Sequence, residues 1–204
     1  MIFEHCVVAS VPLVPEVRLH LVTEDCALWR ASEAEAAALG FVEPYWAFAW
    51  PGGQALARYL LDNPTLVRGK RVLDFGSGCA IEGIAAMLAG AASVLCADID
   101  SLAGDAALAN AALNGVTLAT TAEDLIGRPL NCDLILAGDV FYDAALASRA
   151  LSWLRGLQLP VLIGDPSRGF LDLAGLRQLA SYRATWDGDT RGAVFRDTGV
   201  YSLA

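Results

Sequence analysis

The stretch VLDFGSGCAIEG, residues 72–83, limits the possible folds more than any other part of the chain. An apolar run ends in an acid, turns through Gly76 and Gly78, and passes at once into residues with helical spacing. A strand that leaves through a glycine turn into a helix opens a strand–helix–strand unit, and such units pair their strands in parallel. The unit recurs. KRVLDF (70–75), SVLCAD (93–98), GVTLAT (115–120), CDLILAGD (132–139) and LPVLIGD (159–165) read as strands. IEGIAAMLAG (81–90), SLAGDAALANAALNG (101–115), DAALASRALSWLRG (143–156) and LDLAGLRQLA (171–180) read as helices, with Gly90 and Gly115 as closing residues and Asp100 or Ser101 as a cap. The tail, YRATWDGD and RGAVFRDTGVYSL, reads as two antiparallel strands around a turn at 188–192.

These elements predict an α/β fold of three layers: a Rossmann-like seven-stranded sheet, mostly parallel, with an antiparallel C-terminal hairpin. Its core spans 66–204. Residues 1–65 form an extension packed on that core, with a strand at 16–24, a helix at 32–40, and PYWAFAWPGGQALARYLLDNP at 44–64. No repeat or linker divides the chain, so 1–204 reads as one domain. Its 204 residues, 55% apolar and 18% charged, suffice for a sizeable core.

Charge and composition exclude several classes. A net charge of -9 disfavours nucleic acid as a partner. The apolar runs 83–97 and 106–122 are short or interrupted by Gly, Asn and Thr, so no membrane span of roughly 20 residues is expected. The start, MIFEHCVVAS, shows no targeting pattern, and five cysteines without CxxC pairing suit reduced thiols; both predict a cytoplasmic protein. The two histidines, His5 and His20, stand apart from any acid–cysteine cluster, so no metal site is expected. A monomer is the favoured state.

The glycine turn points to a nucleoside. A dinucleotide fingerprint needs glycine at 81, which is Ile, and a phosphate loop needs a following G-K-[ST], which is missing. Asp74 beside the turn would repel a diphosphate and suits a cation. Asp98 ends the next strand, 24 residues on, the usual distance for an acid that accepts hydrogen bonds from ribose hydroxyls. A positively charged nucleoside without phosphates fits, and S-adenosyl-L-methionine is the candidate. The expected cofactor contacts are Asp74, Gly76, Ser77, Gly78, Asp98, Ile99 and Asp139.

DFGSGCA (74–80) followed by CADID (96–100) resembles the first two motifs of seven-stranded S-adenosylmethionine-dependent methyltransferases, D-x-G-x-G-x-G, with Ala80 in place of the third glycine. PYWAFAWPGGQALARYLLDNP (44–64), GKRVLDFGSGCA (69–80), LAGDVFYDAALA (136–147) and LIGDP (162–166) together resemble the electron transfer flavoprotein β-subunit lysine methyltransferases. That group carries a D/E-x-x-Y/F motif after the fourth strand, here Asp139-Val140-Phe141-Tyr142. The resemblance implies a protein substrate, the flavoprotein β-subunit, S-adenosyl-L-homocysteine as product, and Trp50 as a further cofactor contact bordering the donor.

The residues give a parallel reading. GDVFYD lacks the prolines of the segment that clamps a nucleobase amino group, and DPSR (165–168) falls one strand later. A carboxylate followed by two aromatic residues suits a flexible amine, so Asp139, Phe141 and Tyr142 are the expected catalytic residues, Asp139 attracting the amine and the rings lining its channel. A small-molecule N-methyltransferase and a non-catalytic donor-binding module stand as alternatives.

Overall fold

Apolar side chains on both faces of the central strands set the layering. In the computed structural model, which describes residues 2–38, 44–185 and 194–203, the strand β6 (Leu134–Gly138) sends Leu134 and Leu136 into one core and Ile135 and Ala137 into another. A strand buried on both faces reads as a continuous apolar run, and that is how LILAG reads.

The remaining elements, in chain order, begin with β1 (Val7–Val11), β2 (Val14–Leu21), α1 (Glu33–Ala38) and α2 (Pro51–Asp62). The repeating part follows with β3 (Arg71–Phe75), α3 (Ile81–Leu88), β4 (Ser93–Ala97), α4 (Ser101–Leu113) and β5 (Ala119–Thr121). After β6 come α5 (Ala144–Gly156), β7 (Val161–Asp165), β8 (Leu176–Thr185) and β9 (Phe195–Leu203). The seven-stranded sheet has the order β5-β4-β3-β6-β7-β9-β8, with β9 antiparallel to both neighbours. Strand order reverses between β3 and β6, which opens a crevice at their carboxyl ends. The expected architecture is therefore present.

One face of the sheet packs on α2, α3 and α4, whose buried Leu56, Ile84 and Ala107 share a core with Val72, Leu134 and Val200. The antiparallel pair β1–β2 adds Val11, Val14, Val17, Leu19 and Leu21 to the same core, so the N-terminal segment lies on that face. The other face packs on α5 through Ala147, Ala150, Leu151 and Leu154.

Two segments differ from expectation. LDLAGLRQLA is not a helix: from Leu176 it is β8, paired with β9 from Leu176 opposite Leu203 to Thr185 opposite Phe195. Leu, Arg, Gln and Ala favour helices by only tenths of a kcal/mol each, and pairing along a whole strand outweighs them. An irregularity between Gln178 and Ala180 also breaks the two-residue alternation that would have marked a strand. The third parallel strand starts later, at Ala119, because Gly115 (φ 66°) and Val116 still belong to the end of α4. Their N–H groups donate back to Ala112 and Ala111 carbonyls at 3.2 and 3.1 Å, closing the helix. The turn expected at 188–192 and the end of the 32–40 helix lie outside the described residues.

The WPGGQ stretch starts α2, with Trp50 as cap and Pro51 in the first turn. Here the helix meets strand ends backbone to backbone. A Cβ at Gly52 would strike the Gly164 carbonyl oxygen, and one at Gly164 would strike that of Gly52, both well inside the 3.0 Å that real Cβ atoms respect. Gly138 sits beside Gly164 in register and touches Gly53 in the same way. Gln54, fully buried, gives its amide N–H groups to the Ala49 and Thr185 carbonyls at 2.6 and 3.0 Å and accepts from the Thr185 N–H at 3.1 Å. It thereby ties the end of β8 to α2.

Gly164→Ala is expected to lower stability by about 3 kcal/mol in urea unfolding, because neither backbone can retreat. Gly156→Ala, where a Cβ meets nothing within 4 Å, should leave it unchanged or slightly raised.

Candidate active site

The exits of β3, β4, β6 and β7 surround a cavity of about 650 Å³, a volume suited to a nucleoside-sized ligand. Sheet order fixes its two ends. Asp98, Ile99 and the loop 123–126, which follow β4 and β5, form one end; Asp139, Tyr142 and Arg168, which follow β6 and β7, form the other. The glycine turn after β3 lies between them.

Gly76 (φ 71°) and Gly78 (φ 47°) both line the cavity in left-handed backbone, which explains the glycines. A Cβ at Gly76 would also come within 2.6 Å of Val140. The Gly76 N–H donates to the Ala97 carbonyl at 2.8 Å, and the Gly78 N–H to Asp98 Oδ2 at 2.9 Å. Ala80, at the position of the pattern's third glycine, has φ 61°, a left-handed conformation that favours glycine; its methyl is fully buried in the core. Ser77 is nearly buried beneath the turn and does not reach the cavity wall.

The two expected carboxylates separate. Asp98 faces the cavity, and its second oxygen accepts from the Asp100 N–H at 3.0 Å. Each oxygen keeps capacity for a further hydrogen bond. Burial holds its carboxyl above the ordinary range. Asp74, expected beside the ligand, turns the other way. It is fully buried, accepts from the Gly83 N–H at 2.9 Å, and is bonded to the Glu82 side chain. Burial raises Asp74 to about 7 and, with the charge of Asp74, raises Glu82 well above its usual value. Two carboxyls in one dry site cannot both ionise, so they share a proton, Glu82 donating to Asp74 while accepting from the Gly138 N–H at 3.0 Å. Of the two, Asp98 alone lines the cavity, and Asp74 does not lie beside the ligand space as expected.

Asp139 occupies the mouth of β6 with φ 56°. One carboxylate oxygen accepts the N–H groups of Gly52 and Gly53 at the start of α2, and the other pairs with Arg168. Burial raises its carboxyl, while Arg168 and the two peptide groups oppose that shift. Val140 and Tyr142 follow on the cavity wall; Phe141 does not. Tyr142 is 49% exposed with its ring 6.0 Å from that of Tyr45, whereas Phe141 is 0% exposed in the core beneath α5. Phe141 is therefore a packing residue, since successive side chains leaving a strand point to opposite sides.

Trp50 lines the cavity, its Nε1–H donating to the Tyr45 carbonyl at 2.8 Å and its ring 6.0 Å from that of Tyr45. The Arg168 guanidinium lies 5.8 Å from the Trp50 ring centre. Ile99, 78% exposed, forms part of the rim, with Leu125 and Ile126 nearby. Tyr45 and Arg168 were not singled out from sequence. The signal for Arg168 was its place after β7, since the end of that strand borders the end of β6; LAGD and LIGD carry the same Gly-Asp ending at neighbouring strands.

The arrangement fits a nucleoside without phosphates. The cavity wall carries two cations among the described residues, and both are paired with acids: Arg149 with Asp124 at 3.4 Å and Arg168 with Asp139. Asp98 and Asp100 stand at the glycine turn, where a phosphate would need positive charge. Among the described residues no cluster of metal-binding side chains occurs, and no helix is long and apolar enough to cross a membrane.

Asp98→Ala should weaken S-adenosylhomocysteine binding about 10- to 100-fold by calorimetry, the value of a hydrogen bond to a charged group. The Asp74–Glu82 pair makes stability depend on pH. The unfolded chain releases its carboxyl protons near pH 4, whereas the native pair holds one more tightly. Stability from the pair is greatest below about pH 4 and falls as pH rises, because Asp74 is raised to about 7 and Glu82 well above its usual value. Glu82→Gln keeps a donor for Asp74 and an acceptor for Gly138, so its urea midpoint should fall less between roughly pH 5 and 8 than that of the wild type.

Comparison with known proteins agrees with this geometry. The family model described as ribosomal protein L11 methyltransferase (PrmA) matches residues 55–139. The electron transfer flavoprotein beta subunit lysine methyltransferase of Xenopus laevis is 48% identical over 99% of this chain and 85% of its own length. The protein of the same name from Homo sapiens is 45% identical over 79% of this chain and 63% of its own. Among solved structures, a ribosomal protein L11 methylase from Lactobacillus delbrueckii subsp. bulgaricus superposes with a TM-score of 0.54 at 26% identity, covering 76% of this chain and 79% of that one. A Thermus thermophilus 16S rRNA methyltransferase in complex with AdoMet and guanosine shares the fold, with a TM-score of 0.58 at 16% identity over 76% of this chain and 43% of its own. With 48% identity over 99% of this chain and 85% of the relative, the chain belongs to the electron transfer flavoprotein β-subunit lysine methyltransferase family.

Proposed function

We propose that the chain is an S-adenosylmethionine-dependent protein lysine N-methyltransferase whose substrate is the β-subunit of electron transfer flavoprotein. The observation that carries this reading is the 48% identity to a methyltransferase of that name over 99% of the chain. The cavity supports it, with a nucleoside end at Asp98 and an aromatic end at Tyr45, Trp50 and Tyr142.

S-adenosylmethionine, when bound, supplies a methyl carbon attached to a sulfonium, open to in-line attack. Asp98 would accept hydrogen bonds from the ribose hydroxyls, and Ile99, Leu125 and Ile126 would cover the adenine. Gly76 and Gly78 let backbone approach the donor where side chains would collide. Tyr142, Tyr45 and Trp50 form the walls along which the lysine stem reaches the methyl group. Free lysine has a pKa of about 10.4, so the amine must lose a proton before it reacts. Aromatic walls strip water from the ammonium and lower that value. The neutral nitrogen would then take the methyl group that the bound sulfonium supplies, leaving S-adenosyl-L-homocysteine. Alignment of the two reactants supplies most of the rate advantage.

Incubation of the enzyme with purified electron transfer flavoprotein and methyl-labelled donor, followed by peptide mass spectrometry, should place methyl groups on lysine of the β-subunit. Transfer only to small amines, or none to lysine, would refute the assignment. Tyr142→Ala should lower kcat about tenfold or more with donor binding retained, while Tyr142→Phe, which keeps the wall, should lose much less.

A further inference from the structure

The acid at the mouth of β6 is already engaged. Asp139 Oδ2 takes two peptide N–H groups from the start of α2, and Oδ1 takes Arg168. Arg168 and Asp139 are both largely shielded, with side-chain exposures of 17% and 8%, so their charges act at close range with little screening. The pair is neutral overall, and the helix start adds a positive partial charge. Other titratable groups near it are Asp165 at the end of β7, Tyr142 and Tyr45 on the cavity wall, and Glu82 on α3 behind Asp139. Asp165 is raised to about 6, first by burial, so it is ionised at neutral pH, where Arg168 offsets its charge as it does that of Asp139; Glu82 holds the proton it shares with Asp74. Neither Asp165 nor Glu82 lines the cavity, so Asp139 is the acid that an arriving amine meets at the aromatic end.

A lysine entering there meets a different field from the one an isolated aspartate would create. An uncompensated carboxylate stabilises the ammonium form and raises its pKa by about 1 to 3 units, which suppresses the nucleophile. A carboxylate held by a guanidinium does not. Its bidentate-capable, permanently charged partner also spans from Asp139 to the Trp50 ring, 5.8 Å away, so one residue fixes both the acid and the aromatic wall.

We propose that Arg168 is a positioning residue for methyl transfer: by holding Asp139 it denies the arriving lysine a carboxylate counter-ion, so the acceptor reacts as the free amine. The ammonium proton leaves to solvent before the attack, and Asp139 neither stores nor receives it. This inference rests on the lysine-acceptor reading above.

Single-turnover methyl transfer to the flavoprotein β-subunit, measured against pH, tests it, with S-adenosylhomocysteine affinity measured alongside. The rising limb of that profile reports the ionisation of the bound amine. Arg168→Met frees the Asp139 charge and should move the limb up by about one unit or more, with a loss of about tenfold or more near neutrality that recovers at high pH. Arg168→Lys should keep the limb near the wild-type position. Asp139→Asn removes one of the two acids that Arg168 faces, adds a net positive charge to the cavity wall and should move the limb to lower pH; it decides the matter alone if Arg168→Met does not fold. A limb that stays fixed in Arg168→Met, or fails to fall in Asp139→Asn, overturns the proposal. So does a loss of S-adenosylhomocysteine affinity with no movement of the limb, which would make Arg168 a donor ligand. If the wild type leaves lysine unmethylated, the acceptor assignment falls and takes this inference with it; wild-type activity with a fixed limb removes only the inference.

Discussion

The site depends on one electrostatic contact: the Asp139 carboxylate against the first peptide N–H groups of α2. A helix start presents unpaired donors and positive partial charge, and a buried acid needs both. Each therefore removes the other's desolvation penalty. Arg168 completes the set by neutralising the remaining charge. Through this contact the helix that starts at Trp50 is locked to the loop that carries Tyr142 from the end of β6, and the aromatic end of the cavity acquires its shape. Removing one member of such a buried pair commonly costs about 3 to 5 kcal/mol, because the partner stays behind unpaired.

That contact requires an unusually close approach, which explains a sequence feature that otherwise reads as loop composition. Gly52, Gly53, Gly138 and Gly164 bring three segments together so closely that a Cβ on any of them would strike a neighbouring segment or the carboxyls of Glu82 and Asp139. WPGGQ, LAGD and LIGD are thus a single structural device written in three places. Its residues were visible as motifs, but their joint purpose was not, because the sequence does not state which strand ends are neighbours. Only the order β3-β6-β7 puts them together.

The parallel strands, the helices between them, the glycine turn, Asp98 and the closing residues of α3 and α4 were legible, since each rests on local periodicity or a local cap. What escaped the reading depended on side-chain direction or on distant partners. Asp74 and Asp98 both end or follow strands, yet only Asp98 faces the ligand cavity; Asp74 points into the layer under α3. Phe141 and Tyr142 are adjacent and diverge, one into the core and one onto the wall. The 171–180 segment has helix-forming residues, and its pairing with β9 is a contact that no local window contains. Glu82 looked like an ordinary first-turn helix acid until the fold buried it against Asp74.

The shared proton between Glu82 and Asp74 makes a hydrogen ion a reactant in the folding of this chain. In water both side chains are ionised at neutrality, so the polypeptide must capture a proton from its surroundings as α3 closes over β3. The native population is therefore coupled by mass action to the acidity of the compartment where the chain is made. An alkaline environment depletes a component of the folded state, just as dilution depletes a weakly held ligand.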